Sequence, residues 1–307
     1  MSDATALPLS FPRSRTSALL CVFMAGVLWS TIGLFIRLID DGAVVWQILL
    51  YRSVALSLFL YAVIALRTGQ NPIRLAVRTG WPGVIGGLAL VAAYAGGIYA
   101  IQKTSVANAL LLFAAAPFMA AVLGWVVLGE RVRHATWIAI VAAVAGIGIM
   151  VADKSGSGAM VGNLAALGSA LGFAVFTIAL RWGKGGEMLP AVFLSGLFAV
   201  LLMGAICLSL GLPLVLSARD GGLAMSMGVF QVGAGLVLYT LGSRSLPAAE
   251  LTLLSLAEVV LAPLWVWLLL GETATGNTLL GGAILMAAIA GNALSGARRR
   301  PPPVTTP

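Results

Sequence analysis

Apolar residues run along this chain in ten long blocks. They fall at 17–36, 43–66, 81–101, 106–128, 136–152, 161–180, 189–210, 222–242, 248–270 and 277–296, each bounded by charges or turn residues. At 1.5 Å per residue, blocks of about 17–24 residues cross a hydrocarbon core of roughly 30 Å as helices. The connections are too short to hold a soluble domain; the longest, 67–80, carries Arg67, Arg74, Arg78 and a Gly-Gln-Asn-Pro turn. The pattern predicts an all-α integral membrane protein with ten transmembrane helices. The first block resembles the apolar core of a signal peptide, but its length and its closure by Arg37 predict a retained helix.

Composition excludes the alternatives. Of 307 residues 60% are hydrophobic and 9% charged, with a mean hydropathy of +1.04. A soluble domain carries roughly a quarter charged residues, so a soluble enzyme, a secreted disulfide scaffold and a disordered chain are ruled out. The net charge of +8 does not mark a nucleic-acid binder, because no Lys/Arg cluster is interleaved with exposed aromatics. Its distribution is what matters. The N-terminus, the even-numbered loops and the C-terminal tail hold 13 of the 18 Lys and Arg, among them Arg13, Arg15, Arg131, Arg133, Arg181, Lys184, Arg244 and Arg298 to Arg300. The opposite side holds Arg37, Lys103, Lys154 and Arg219, and Arg52 lies inside the second span. The positive-inside rule then puts both termini in the cytoplasm of a cell with this chain in its inner membrane. Cys21 and Cys207 fall near opposite faces, so no disulfide joins them.

The second half repeats the first. Trp29-Ser30 and Arg37 answer to Phe173-Ala174 and Arg181, Lys103-Thr104 to Arg244-Ser245, and Leu128 to Glu130 to Leu270 to Glu272, at offsets of 141 to 144 residues. Five spans per half is an odd number, so the halves enter the membrane upside down relative to each other. The expected organisation is a tail at 1–16, a five-helix repeat at 17–152, a linker at 153–160, a second repeat at 161–296 and a tail at 297–307. Inverted repeats are the architecture of secondary transporters, with substrate bound near the midplane.

The five-plus-five spans, the basic residues Arg37 and Arg181, the Tyr51-Arg52-Ser53 step and the two Leu-Gly-Glu endings resemble the drug/metabolite transporter superfamily. Within it the chain is similar to the EamA-type ten-helix exporters, a group that includes amino-acid exporters. The resemblance covers 17–296. It departs at the ninth span, where the family often has Glu-Pro and this chain has Glu258-Val259, with proline only at Pro263. The resemblance implies a cavity lined mainly by the first, third, fourth, sixth, eighth and ninth spans, with the fifth and tenth as backing.

Polar groups inside a membrane are costly and therefore informative. Glu258, near mid-depth, is a candidate contact for a substrate amine or a proton carrier; the alternative is a hydrogen-bond acceptor between helices. Glu250, two turns earlier, is a candidate gate. Arg52 reads first as a structural group that pairs with carbonyls, Gln47 or a carboxylate, and second as a substrate contact. Asn108 and Gln231 can each donate and accept, which suits a zwitterion, or can hold helices together. Gln231, Gly235 and Tyr239 share a face. Trp29, Tyr94, Tyr99, Phe113, Phe173 and Trp265 are candidate walls for an apolar substrate portion. Pro117 and Pro263, on corresponding helices, are candidate hinges. Gly129-Glu130 and Gly271-Glu272 read as helix ends whose Glu orders the following turn. Ala142 to Gly146 and Ala287 to Gly291 read as close-packing faces.

No Gly-x-x-x-x-Gly-Lys-Ser/Thr loop is present, and the lone histidine, His134, has no Cys or carboxylate cluster. No cofactor, metal or enzymatic activity is expected. The expected partners are a small-molecule substrate and lipid, not nucleic acid, and both halves in one chain allow a monomer to work. The leading reading is a secondary transporter that exports small metabolites, foremost amino acids including aromatic or large apolar ones, by alternating access. The alternatives are proton-coupled efflux of hydrophobic cations through Glu258, and a channel or non-transporting scaffold.

Overall fold

A computed structural model describes residues 14–40, 44–152, 159–183, 188–243, 246 and 248–297. Arg13, Lys154, Lys184, the Arg244-Ser245 landmark, Arg298 to Arg300 and most of the linker and tails lie outside the described residues. Ten helices are long and apolar enough to cross a membrane: Arg15–Leu38, Val45–Thr68, Gly80–Lys103, Val106–Leu128, His134–Val151, Met160–Trp182, Met188–Ser209, Ala218–Ser243, Glu250–Leu270 and Gly276–Gly296. The described residues contain no strand. Ten crossings return the chain to the face on which it starts, called here the near face, with Leu38, Lys103 and Leu270 at the far face.

Local chemistry sets the ends. The eighth span starts at Ala218, four residues before the hydropathy edge at 222, because Ser217 caps it: Ser217 Oγ accepts from Asp220 N at 3.0 Å. The long 67–80 connection holds a short helix, Pro72–Arg78, rather than a bare turn. Asn71 caps it by accepting from Ile73 N at 2.9 Å, and Pro72 opens it where no N–H is needed.

The helix ends also show the repeat. Gly69 and Gly211 close the second and seventh spans at φ 64, and Gly129 and Gly271 close the fourth and ninth at φ 66 and 70. After the last pair the chain turns back in the same way, Glu130 N donating to Gly124 O at 3.1 Å and Glu272 N to Val266 O at 3.2 Å. Each Glu then reaches into the other half: Glu272 pairs with Arg37 at 2.8 Å and Glu130 with Arg181 at 2.9 Å. Beyond the turns that the sequence assigned to them, the two carboxylates thus also join one half to the other. Partners exchanged in this way are what two inverted halves require.

The halves differ in their bends. Before Pro117 the fourth span breaks into Val106–Phe113 and Ala116–Leu128. The proline has no N–H, and its ring clashes with the carbonyl four residues back. Pro263 sits inside a helix, Ala248–Leu270, that continues through it. The first span breaks at Thr31, whereas its mate Ala159–Trp182 is continuous. The eighth span carries a π-helical stretch, Met227–Ala234.

Packing is most extensive between the third span and the sixth, followed by the first with the eighth and the fifth with the tenth. In the last of these, a Cβ on Gly146 would stand 2.6 Å from Gly281 O, so these helices touch through backbone. The tenth span therefore presents Gly281, not the expected Ala287 to Gly291 pair, whose residues are exposed. Neither the fifth nor the tenth span lines the central cavity.

Candidate substrate cavity

A cavity of about 180 Å³ lies between the halves. It is lined from the first, third, fourth, sixth, eighth and ninth spans and, beyond expectation, from the second through Arg52 and the seventh through Met188 and Val192. Met188 stands at the near end of the seventh span. At the other end the lining stops at Ile101 and Ala109.

Six of the expected cavity residues line it: Trp29, Tyr94, Phe113, Phe173, Gln231 and Glu258. Its apolar wall is aromatic. Phe113 meets Phe173 edge-on at 5.6 Å between ring centres, and Phe173 stands 5.9 Å from Phe176. Its polar side is sparse. Gln231 Nε2 donates to Trp29 O at 3.4 Å, while Gln231 Oε1 is buried without a partner. Arg52 is 2% exposed, with its guanidinium carbon 4.2 Å from the centre of the Tyr94 ring. Ser169 Oγ donates to Ala93 O at 2.6 Å, tying the sixth span to the third.

Four expected residues lie elsewhere. Tyr239 packs behind Trp29, 5.3 Å ring to ring. Trp265 Nε1 donates to Ser30 Oγ at 2.9 Å, which joins the ninth span to the first. Tyr99 sits beside Lys103 at the far end of the third span. Asn108 belongs to a seal beyond the cavity: it hydrogen-bonds Asn163, donates to Thr104 Oγ1 at 3.3 Å and accepts from Thr278 Oγ1 at 3.4 Å. Each was singled out as polar or aromatic within a span, but the helix face it occupies meets another helix.

The seal has an ionic layer. Glu272 accepts from Arg37 Nε at 2.8 Å and from Val106 N at 2.7 Å, and Arg37 also donates to Thr104 O at 2.8 Å. First, third, fourth and ninth spans are thus bound together at the far face. Val106–Phe113 packs on both the sixth and the ninth spans, while Ala116–Leu128 packs mainly on the sixth. At the near face Arg15 meets Glu250 at 2.5 Å, which holds the first span to the ninth. Among the described residues the cavity is therefore sealed off at the far face, and toward the near face its lining extends to Met188. Glu250 lies in this pair and not in the lining.

A family model described as the EamA-like transporter family matches twice, over residues 16–152 and 160–294. The chain belongs to the EamA-like transporter family. The two matches fall one on each half, as an internal repeat requires. The chain is also 30% identical over 192 residues to an uncharacterized transporter, YwfM, of Bacillus subtilis (strain 168), the match covering 61% of this chain and 64% of that protein. A solved crystal structure covers 93% of this chain and 99% of its own at a TM-score of 0.63 and 24% identity, a likeness of fold.

Sequence reasoning missed Ser169, Phe176 and Met188, and ranked substrate contact only second for Arg52, which lines the cavity. Its charge was legible at once. Its direction was not, because a single Arg in an apolar span carries no periodic signal to say which neighbour it faces.

Proposed function

We propose that this EamA-like family member is a secondary transporter that exports amino acids with aromatic or large apolar side chains. It would work by alternating access in the cell (inner) membrane, with both termini and the near face in the cytoplasm. The observation that carries the reading is an aromatic cavity with few polar groups, closed at the far face and lying between two inverted halves. Such a pocket suits an amphipathic ligand, since apolar walls bind its side chain and a few polar groups fix its orientation. The inverted repeat supports the cycle, because exchanging the conformations of the two halves would turn a far-closed state into a near-closed one of similar energy.

Full-length protein in liposomes loaded with unlabelled phenylalanine should accumulate labelled phenylalanine by exchange, with saturation. Flux that does not saturate would indicate a channel, and failure across a broad amino-acid panel would remove the substrate assignment.

A second reading, proton-coupled efflux of hydrophobic cations, is favoured by one observation: Glu258 lies in the aromatic cavity with no ion-pair partner among the described residues. Under it, Glu258→Gln should abolish uptake driven by a pH gradient, and a lipophilic cation should compete. Unchanged transport in the Gln variant without a pH gradient rejects coupling through Glu258.

A further inference from the structure

We propose that Arg52 is a substrate-binding residue that anchors a carboxylate, so that the cavity selects amphipathic molecules with a carboxylate group over simple lipophilic cations. The inference rests on the central cavity being the transport site, and it takes up the second of the two roles that the sequence suggested for Arg52 in place of the structural one.

An arginine keeps its charge under all ordinary conditions and presents a planar fork of donors that matches a carboxylate. Taking such a group out of water is costly unless it is paired. Arg52 is buried, yet Nε and Nη1 have no hydrogen-bond partner, and no carboxylate lies within 4.0 Å of it among the described residues. Gln47, an expected partner, is used elsewhere: its Nε2 donates to Pro213 O at 2.7 Å and its Oε1 accepts from Val44 N at 3.1 Å. Tyr94 supports the cation by its ring alone, and a stacked guanidinium still has its edge donors to give. The site thus holds a positive charge whose hydrogen-bonding capacity is unspent. Arg52 lines the cavity.

The surroundings complete a zwitterion site. A Cβ on Gly228 would meet the backbone carbonyl of Arg52 and stand 2.9 Å from Leu56 N. Second and eighth spans therefore touch backbone to backbone at Gly228, and Gln231 follows three residues on along the eighth. Gln231 Oε1 is a buried acceptor without a donor, and Glu258 adds a carboxylate from the ninth span to the same lining. An ammonium group can use both acceptors while Arg52 takes the carboxylate, and Phe113 and Phe173 receive the side chain. A lipophilic cation would leave Arg52 unpaired and add a second positive charge to the cavity.

The test compares four ligands on purified full-length protein, by equilibrium binding: phenylalanine, phenylalaninamide, 3-phenylpropionate and phenethylamine. A charge-assisted anchor in a buried site predicts that the two carboxylates bind about tenfold or more tightly than the two amines that lack a carboxylate. Arg52→Gln should erase that preference, and Arg52→Lys should keep part of it. The ligand comparison on the unmodified protein needs no variant, so misfolding of either variant leaves the claim exposed. Equal affinity for phenylalanine and phenylalaninamide overturns it, as does a preference that survives in Arg52→Gln, or no binding of 3-phenylpropionate. Arg52-dependent binding of 3-phenylpropionate without transport of any amino acid would instead remove the amino-acid reading and leave the carboxylate anchor standing.

Discussion

Asn108 shows how much one side chain can hold in an apolar medium. Its amide gathers Asn163 from the sixth span, Thr278 from the tenth and Thr104 from the end of the third. Asn108→Leu removes the hub and leaves Asn163 and Thr278 buried with unmet bonds. The expected loss is about 1–3 kcal/mol, the cost of unsatisfied buried groups, seen as a lower unfolding temperature in detergent. The residue was legible in the sequence as a polar group inside a span, and so were Trp265 and Tyr239. What the sequence could not tell was whether each side chain meets water or another helix. Within a span almost every position is apolar, so no contrast between faces marks the wet side. Trp29, Gln231 and Glu258 line the cavity, whereas Asn108, Tyr239 and Trp265, on spans equally expected to form it, do not.

At the scale of a helix, hydropathy found all ten spans because the requirement is simple: about twenty apolar residues, ended by charge, glycine or proline. The bends were harder to foresee. Pro117 and Pro263 look equivalent in sequence, yet the fourth span breaks beside one and the ninth runs on through the other. Close packing was half legible. Gly146 on the fifth span does touch its neighbour, but the tenth span offers several pairs of small residues, and only the register of the two helices selects Gly281. Substitution should separate these cases. Gly281→Leu must push two backbones apart and should cost about 1–3 kcal/mol as overpacking does. Gly291→Leu, where an added Cβ meets nothing within 4 Å, should leave the unfolding temperature nearly unchanged. Equal losses for the two would reject the assigned interface.

For the molecule as a whole, the two C-terminal glutamates are mates in unequal circumstances. Glu272 accepts both from Arg37 and from the backbone of Val106, closing the seam between ninth and fourth spans. Glu130 meets Arg181 only through the ion pair between fourth and sixth. If the halves exchange conformations, Glu130 takes over the sealing bond at the near face. Glu272→Gln should then favour a far-open state and Glu130→Gln a far-closed one. Ala166→Cys, in the cavity lining, placed in a background lacking Cys21 and Cys207, would report this. Impermeant thiol reagent added from the far side should label it faster in the first variant and slower in the second; shifts in the same direction would reject the exchange. The crossed pairs have one more consequence. The segment ending at Glu130 owns both a base, Arg37, and an acid, and the later segment owns Arg181 and Glu272. Either one is therefore complementary to an upside-down duplicate of itself, so a bundle built from two opposed copies of a single five-helix fragment would satisfy every one of these ionic contacts without its sister.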